Sequence, residues 1–134
     1  DESIEDLNQI FEMIPNKKIG LFEISWSTSD FVEGDDVSQK IFVEKLFDFY
    51  AQNESKIEFM TWYRYIDQEA NSCVKEEQKI GDQTITLGGG SSMGTSEHVI
   101  ERLNQYICNA GLVDVNQNKK VGWNEFKTQI QMLN

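Results

Sequence analysis

Two short apolar runs separated by one amphipathic helix limit the folds open to this chain more than any other feature. Residues 18–26 and 56–65 each read as a strand, the second (KIEFMTWYRY) rich in β-branched and aromatic side chains. Between them, residues 36–52 put Phe42, Val43, Leu46, Phe47 and Tyr50 on one stripe. Lys40, Glu44, Lys45 and Asp48 lie mostly off it. Asp36 or Ser38 is the candidate N-cap of that helix. Strand, helix, strand in this order predicts parallel pairing through a right-handed crossover. A further helix is predicted over 3–14, from the spacing of Ile4, Leu7, Ile10, Phe11 and Ile14, and Pro15 closes it. The class is therefore α/β. Two strands bury little and leave two open edges, so the pattern reads as a piece of a larger α/β fold.

Downstream the sequence changes character. Residues 67–96 are polar and include GGGSSMG at 88–94; KIGDQTITL predicts a small hairpin around Gly81 and Asp82. A final helical region starts near Ser96, with Ile100, Leu103, Ile107 and, at the edge, Tyr106 on its apolar face. It pauses at Gly111, turns through DVNQNKK and resumes from about Trp123 to Met132.

Charge narrows the partners. The chain has 134 residues, the size of one domain or part of one, and a formal net charge of −11. A phosphate backbone repels such a surface, so neither nucleic acid nor an anionic membrane is an expected partner. Apolar residues make up 39%, enough for a core. No apolar run spans a bilayer. The first residue is Asp1 and no leader is visible, so the sequence is expected to begin at a mature terminus or an internal point. Cys73 and Cys108 lie 35 residues apart. A bridge between them would stabilise by roughly 3–4 kcal/mol in the chain-entropy picture; two free thiols is the other reading.

The residues with chemical potential sit where the strands end. By alternation Ile19, Leu21 and Glu23 share one face of the first strand, and Phe22 and Ile24 the other. Met60 and Trp62 share a face of the second. Parallel strands ending in Glu and Trp bring both side chains to the carboxyl edge, where α/β proteins do their chemistry. The plain alternatives are an edge carboxylate in a salt bridge and a tryptophan in the core.

These segments carry a resemblance. IGLFEISWSTS, SQKIFVEKLFDFY, IEFMTWYRYID and GLVDVNQNKKVGWNEF together resemble the last quarter of a retaining TIM-barrel glycoside hydrolase, of the large clan that includes cellulases, mannanases and galactanases. The resemblance implies a partial TIM (β/α)8 barrel: helix 6, strand 7, helix 7, strand 8 and helix 8, with residues 1–134 as one C-terminal segment and a long loop at 67–96. It implies that Glu23 is the nucleophile, that Trp62 is a sugar platform with Trp26 close by, and that a non-proline cis peptide follows Trp62. The tail matches a recurrent ending through Gly111, Leu112, Asp114, Lys120, Trp123 and Phe126, but Gln117 and Lys119 replace its usual Gly and Pro. The implied function is cleavage of β-linked glycans with retention, outside the cytoplasm, without metal or organic cofactor. The implied partners are a carbohydrate and the remainder of the barrel. The acid/base of that family lies on strand four, which this chain lacks. Retention needs two carboxylates about 5–5.5 Å apart, so the chain alone is expected to be inactive.

A second reading comes from the tail by itself. In DVNQNKKVGWNE, Asp114, Asn116, Asn118, the Lys120 carbonyl and Glu125 occupy calcium-loop positions, which would make the chain a small acidic calcium-binding or interaction module. Lys119 stands where that loop requires Gly, and a polar turn between packed helices is the alternative. GGGSSMGTS spaces Gly89 and Gly94 like a phosphate loop, but Thr95 replaces the essential Lys. His98 is the only histidine and is expected on a helix surface.

Overall fold

The computed structural model describes residues 2–74, 77–80, 83–86 and 97–133, with side chains described for 6–74 and 98–133. The elements are α1 (Glu2–Met13), β1 (Ile19–Ile24), a 3-10 turn (Asp30–Val32), α2 (Asp36–Asn53), β2 (Ile57–Trp62), β3 (Glu77–Ile80), β4 (Gln83–Thr86), α3 (Glu97–Cys108) and α4 (Val121–Met132).

β1 and β2 pair in parallel, and α2 carries the chain between them. Asp35, not Asp36, caps α2. Its carboxylate accepts from the Ser38 N–H while the Ser38 hydroxyl accepts from the Asp35 N–H, a reciprocal box that fixes the helix start. One face of the sheet is covered. Phe11 of α1 stacks on Phe49 of α2 at 5.9 Å, and both meet Ile57, with Leu7, Ile19, Leu21, Tyr50 and Met60 around them. The other face carries Gly20, Phe22 and Phe59. Phe59 lies across Gly20, edge-on to Phe22, and Phe22 is left 71% exposed.

α4 packs on α2, and the contact depends on Gly122. A Cβ there would sit 2.5 Å from Gln39 Oε1. Gln39 is fully buried, and its amide donates to the carbonyls of Trp26 and Gly111. After β2 the chain zips against the segment that follows α3. Gln68 N–H donates to Cys108, Asp67 N–H to the Val113 carbonyl, and Leu112 and Val113 both donate to Tyr65. Cys73 and Cys108 form a disulfide with a Cα–Cα distance of 5.6 Å. Asn104, buried beside it, accepts from the Cys73 and Val74 N–H groups and donates to the Val74 carbonyl.

The partial-barrel expectation does not hold. Among the described residues, the parallel sheet consists of β1 and β2 alone, with one isolated parallel bridge beyond it between Ile66 and Val113, and the fold is four helices around that two-stranded sheet with a separate antiparallel hairpin. A barrel wall needs a run of parallel strands, and the one crossover unit among the described residues supplies a sheet of only two. β3 and β4 form the hairpin expected in that region; its turn at Gly81 and Asp82 and the glycine-rich stretch 88–94 lie outside the described residues. The non-proline cis bond joins Tyr63 to Arg64, one bond beyond the position that the resemblance implied.

Candidate functional site

Glu23 sits in a local break of the sheet. The pairing steps from Leu21↔Met60 to Ile24↔Trp62, so β1 carries one residue more than β2 across this interval. The extra residue disrupts the alternation read from sequence. Phe22 and Glu23 are consecutive exposed residues, and Ile24 returns to the helix side beside Leu46. Glu23 therefore leaves the face of Ile19 and Leu21. Its φ is 56°, left-handed backbone that costs an L-residue roughly 1–2 kcal/mol. Its N–H, turned out of the ladder, donates to Thr61 Oγ1 at 3.1 Å.

Trp62 and Trp26 occupy a chain of rings on the helix side. Trp26 stacks on Phe42 at 5.0 Å, Phe42 meets Trp62 edge-on at 6.0 Å, and Trp62 meets Phe126 at 6.0 Å. Each indole N–H is satisfied internally: Trp26 donates to Ser38 Oγ and Trp62 to the Ala110 carbonyl. Both rings are half-buried. The structure thus sets Trp62 and Trp26 together through Phe42, and Glu23 at the exposed end of the sheet. The small polar residues after β1 are pinned by α3. Ser27 Oγ donates to the Gln105 carbonyl, Thr28 N–H to the Asn109 carbonyl and Tyr106 Oη to the Ser25 carbonyl.

The tail residues have other occupations. Asp114 Oδ1 accepts from the N–H groups of Asn116 and Asn118, its Oδ2 accepts from the Asn118 amide, and Gln117 takes a φ of 66° at the turn. The side-chain amide of Asn118, then its N–H, hold the Asp114 carboxyl below its ordinary range. The Lys120 carbonyl accepts from Trp123 N–H at the start of α4. Glu125 pairs with Lys40 at 3.5 Å, and Lys40 also pairs with Glu44. Among the described residues no group of three or more His, Cys, Asp or Glu side chains is placed to hold a metal ion.

A second constellation is absent from the sequence reading. Lys120 Nζ lies 2.6 Å from Asp67 Oδ2, and each side chain is only 7% exposed. Lys120 also donates to Thr28 Oγ1 at 2.8 Å and to the Asn109 carbonyl at 3.3 Å, while Asp67 Oδ1 accepts from Gly111 N–H at 2.7 Å. Gly111 is required here, since a Cβ would fall 2.4 Å from the Asp67 backbone nitrogen. Burial pushes the Asp67 carboxyl above its ordinary range, opposed by Lys120 and by the Gly111 N–H. The pair latches three loops: the one after β1, the one after β2, and the one leading into α4. A cleft of about 730 Å³ opens over it, lined also by Asp35, Asp36, Asp114, Asn118 and Lys119. Ser38 N–H and then its hydroxyl hold the Asp35 carboxyl low. The only sequence signal for this latch is an Asp in the loop five residues past β2 and a Lys directly before a helix. Spacing alone does not pair them.

No protein-family model, characterised protein or solved structure matches the chain.

Proposed function

We propose that this chain is part of an enzyme that hydrolyses β-linked glycans with retention, with Glu23 as nucleophile. The observation that carries the reading is the backbone of Glu23. A solvent-facing carboxylate is held in a costly left-handed conformation by a bulge at the carboxyl end of a parallel strand, and its N–H is anchored on Thr61. Strain of this kind concentrates where a side chain has to be aimed. Glu23 would attack the anomeric carbon as the glycosidic oxygen takes a proton from an acid, giving a covalent glycosyl ester. Water, deprotonated by the conjugate base of that acid, would then attack the same carbon and free Glu23. The acid/base belongs to the remainder of the enzyme. Trp62 and Trp26 would contribute the ring surface that Phe42 and Phe126 leave uncovered. The Cys73–Cys108 bridge accords with action in an oxidising, extracellular setting.

A 2-deoxy-2-fluoro β-glycoside with a dinitrophenolate leaving group tests this in the assembled enzyme, because so good a leaving group needs no acid. The expected result is a covalent sugar on Glu23. Glu23→Ala should abolish turnover, and azide should restore it with an inverted product. A label on another residue, or near-normal turnover by Glu23→Ala, would sink the proposal. The chain alone should be inactive on β-glycosides whose leaving group must be protonated, since general acid assistance contributes about 10²–10⁴-fold.

A further inference from the structure

In a chain with 23 acidic and 12 basic residues, a half-buried arginine is expected to hold a carboxylate. Arg64, two residues past Trp62 and half-buried, does not: among the described residues no carboxylate pairs with it. Its guanidinium lies over the Tyr63 ring, 5.0 Å from the centroid. Nη2 donates to Tyr63 Oη at 2.8 Å, and Nη1 meets Cys73 Sγ at 3.5 Å. We propose that Arg64 and Tyr63 form a recognition site for an acidic sugar, one that carries a carboxylate or a sulfate group. That a sugar carries the anion rests on the glycan reading above; the anion site itself does not.

The donors define the ligand. The two engaged guanidinium N–H groups meet a phenol oxygen and a sulfur, neither of them charged. Nε–H and one N–H on each Nη remain. Tyr63 Oη accepts from Arg64, so its own O–H is turned away from the guanidinium and is left to donate. Donors and a positive charge thus converge with no acid to answer them. An oxyanion answers both, through paired N–H bonds from the guanidinium fork, whereas a neutral hydroxyl leaves the charge unmet.

The site is held in place before any ligand arrives. Cys73 is bridged to Cys108, and its N–H donates to Asn104, so the sulfur against Nη1 is fixed. The Tyr63 ring fixes the guanidinium plane, and less side-chain freedom is lost on binding. Tyr63 N–H donates to the carbonyl of Ile24, the residue after Glu23, so the site starts at the same end of the sheet as the proposed nucleophile. The net charge of −11 does not forbid an acidic sugar. Exposed charges more than about 8 Å away are largely screened at physiological ionic strength, while the guanidinium acts at contact.

A titration of the full chain tests this, read from the Tyr63 amide and the arginine Nε–H resonances in proton–nitrogen correlation spectra. The chain has only two arginines, Arg64 and Arg102. The acidic probes are methyl β-glucuronide and the 6-sulfate of methyl β-glucoside; methyl β-glucoside is the neutral control and acetate the bare anion. The expected result is a saturable shift of both Arg64 Nε–H and the Tyr63 amide with at least one acidic glycoside, at about tenfold lower concentration than with acetate. The neutral glycoside should move neither. Which acidic glycoside responds separates uronic from sulfated glycans. Arg64→Gln should remove the Tyr63 response, and Tyr63→Phe should weaken binding severalfold. If Arg64→Gln does not fold, the four probes on the parent chain still decide. Arg64 resonances that ignore both acidic glycosides, or that move equally with the neutral one, would overturn the proposal. So would an equal response to acetate, which marks an adventitious ion only. The result is separate from the fluorosugar experiment: Glu23 can take the label while Arg64 stays silent, and Arg64 can respond while Glu23 stays unlabelled.

Discussion

Removing Asp67 should destabilise this protein more than any exposed substitution, and the structure gives the size of the effect. Asp67→Ala leaves the Lys120 ammonium 7% exposed and without its counter-charge, with only Thr28 Oγ1 and the Asn109 carbonyl as acceptors. It also strips Gly111 N–H of its acceptor. Breaking one side of a buried pair costs about 3–5 kcal/mol. For 134 residues the unfolding entropy near 60 °C is about 0.3 kcal/mol per kelvin, so the melting temperature should fall by about 10–17 °C. Lys120→Met should cost a similar amount at neutral pH, but with a different pH dependence. Burial already raises the Asp67 pKa, and losing the lysine raises it further. A carboxyl whose folded pKa exceeds its unfolded value costs stability when ionised. That cost disappears as pH falls through the folded pKa, because the folded state protonates first. The gap between Lys120→Met and the parent chain should therefore narrow on acidification from pH 7 towards pH 4, and the Asp67→Ala gap should not narrow for this reason. Urea unfolding followed by tryptophan fluorescence at several pH values measures both. A loss below about 1 kcal/mol for Asp67→Ala, the size of an exposed pair, would refute the reasoning, as would a Lys120→Met penalty that ignores pH.

Glu23→Gly should raise stability by about 1 kcal/mol in the same assay, because glycine takes a φ of 56° without the Cβ clash. A catalytic residue whose removal stabilises the fold is the pattern expected of a strained site. Gly122→Ala should cost about 1–3 kcal/mol, since the new methyl meets the buried Gln39 amide, already tied to Trp26 and Gly111. Hydrogen bonds from Ser38 and from Asn118 hold the folded Asp35 and Asp114 carboxyls below the ordinary aspartate value. Their stabilising contribution is present above that value and lost as pH falls through the folded pKa. The stability differences of Asp35→Ala and Asp114→Ala from the parent should therefore shrink as acid denaturation proceeds through the carboxylate range.

Local patterns in the sequence specify α1, α2, β1 and β2, because each is written in a short stretch: a stripe at helical spacing, a β-branched and aromatic run, a proline after the first helix. The parallel pairing of β1 and β2 also follows from the strand–helix–strand order, since one crossover helix admits only that arrangement. Glu23 was legible as a carboxylate at a strand end. Its true orientation was not, because the bulge that turns it away from Leu21 arises from a register mismatch between two strands 38 residues apart in hydrogen-bonded contact. The extent of the sheet was not legible either. The resemblance carried by the strands, the helix between them and the tail pointed to part of a barrel, whereas the β1–β2 ladder ends at Trp62 and the backbone beyond it pairs with the segment that follows α3. The Asp67–Lys120 latch belongs wholly to tertiary structure. Two charges 53 positions apart acquire their meaning only when Gly111 lets the loops close over them, excluding water and making each charge depend on the other.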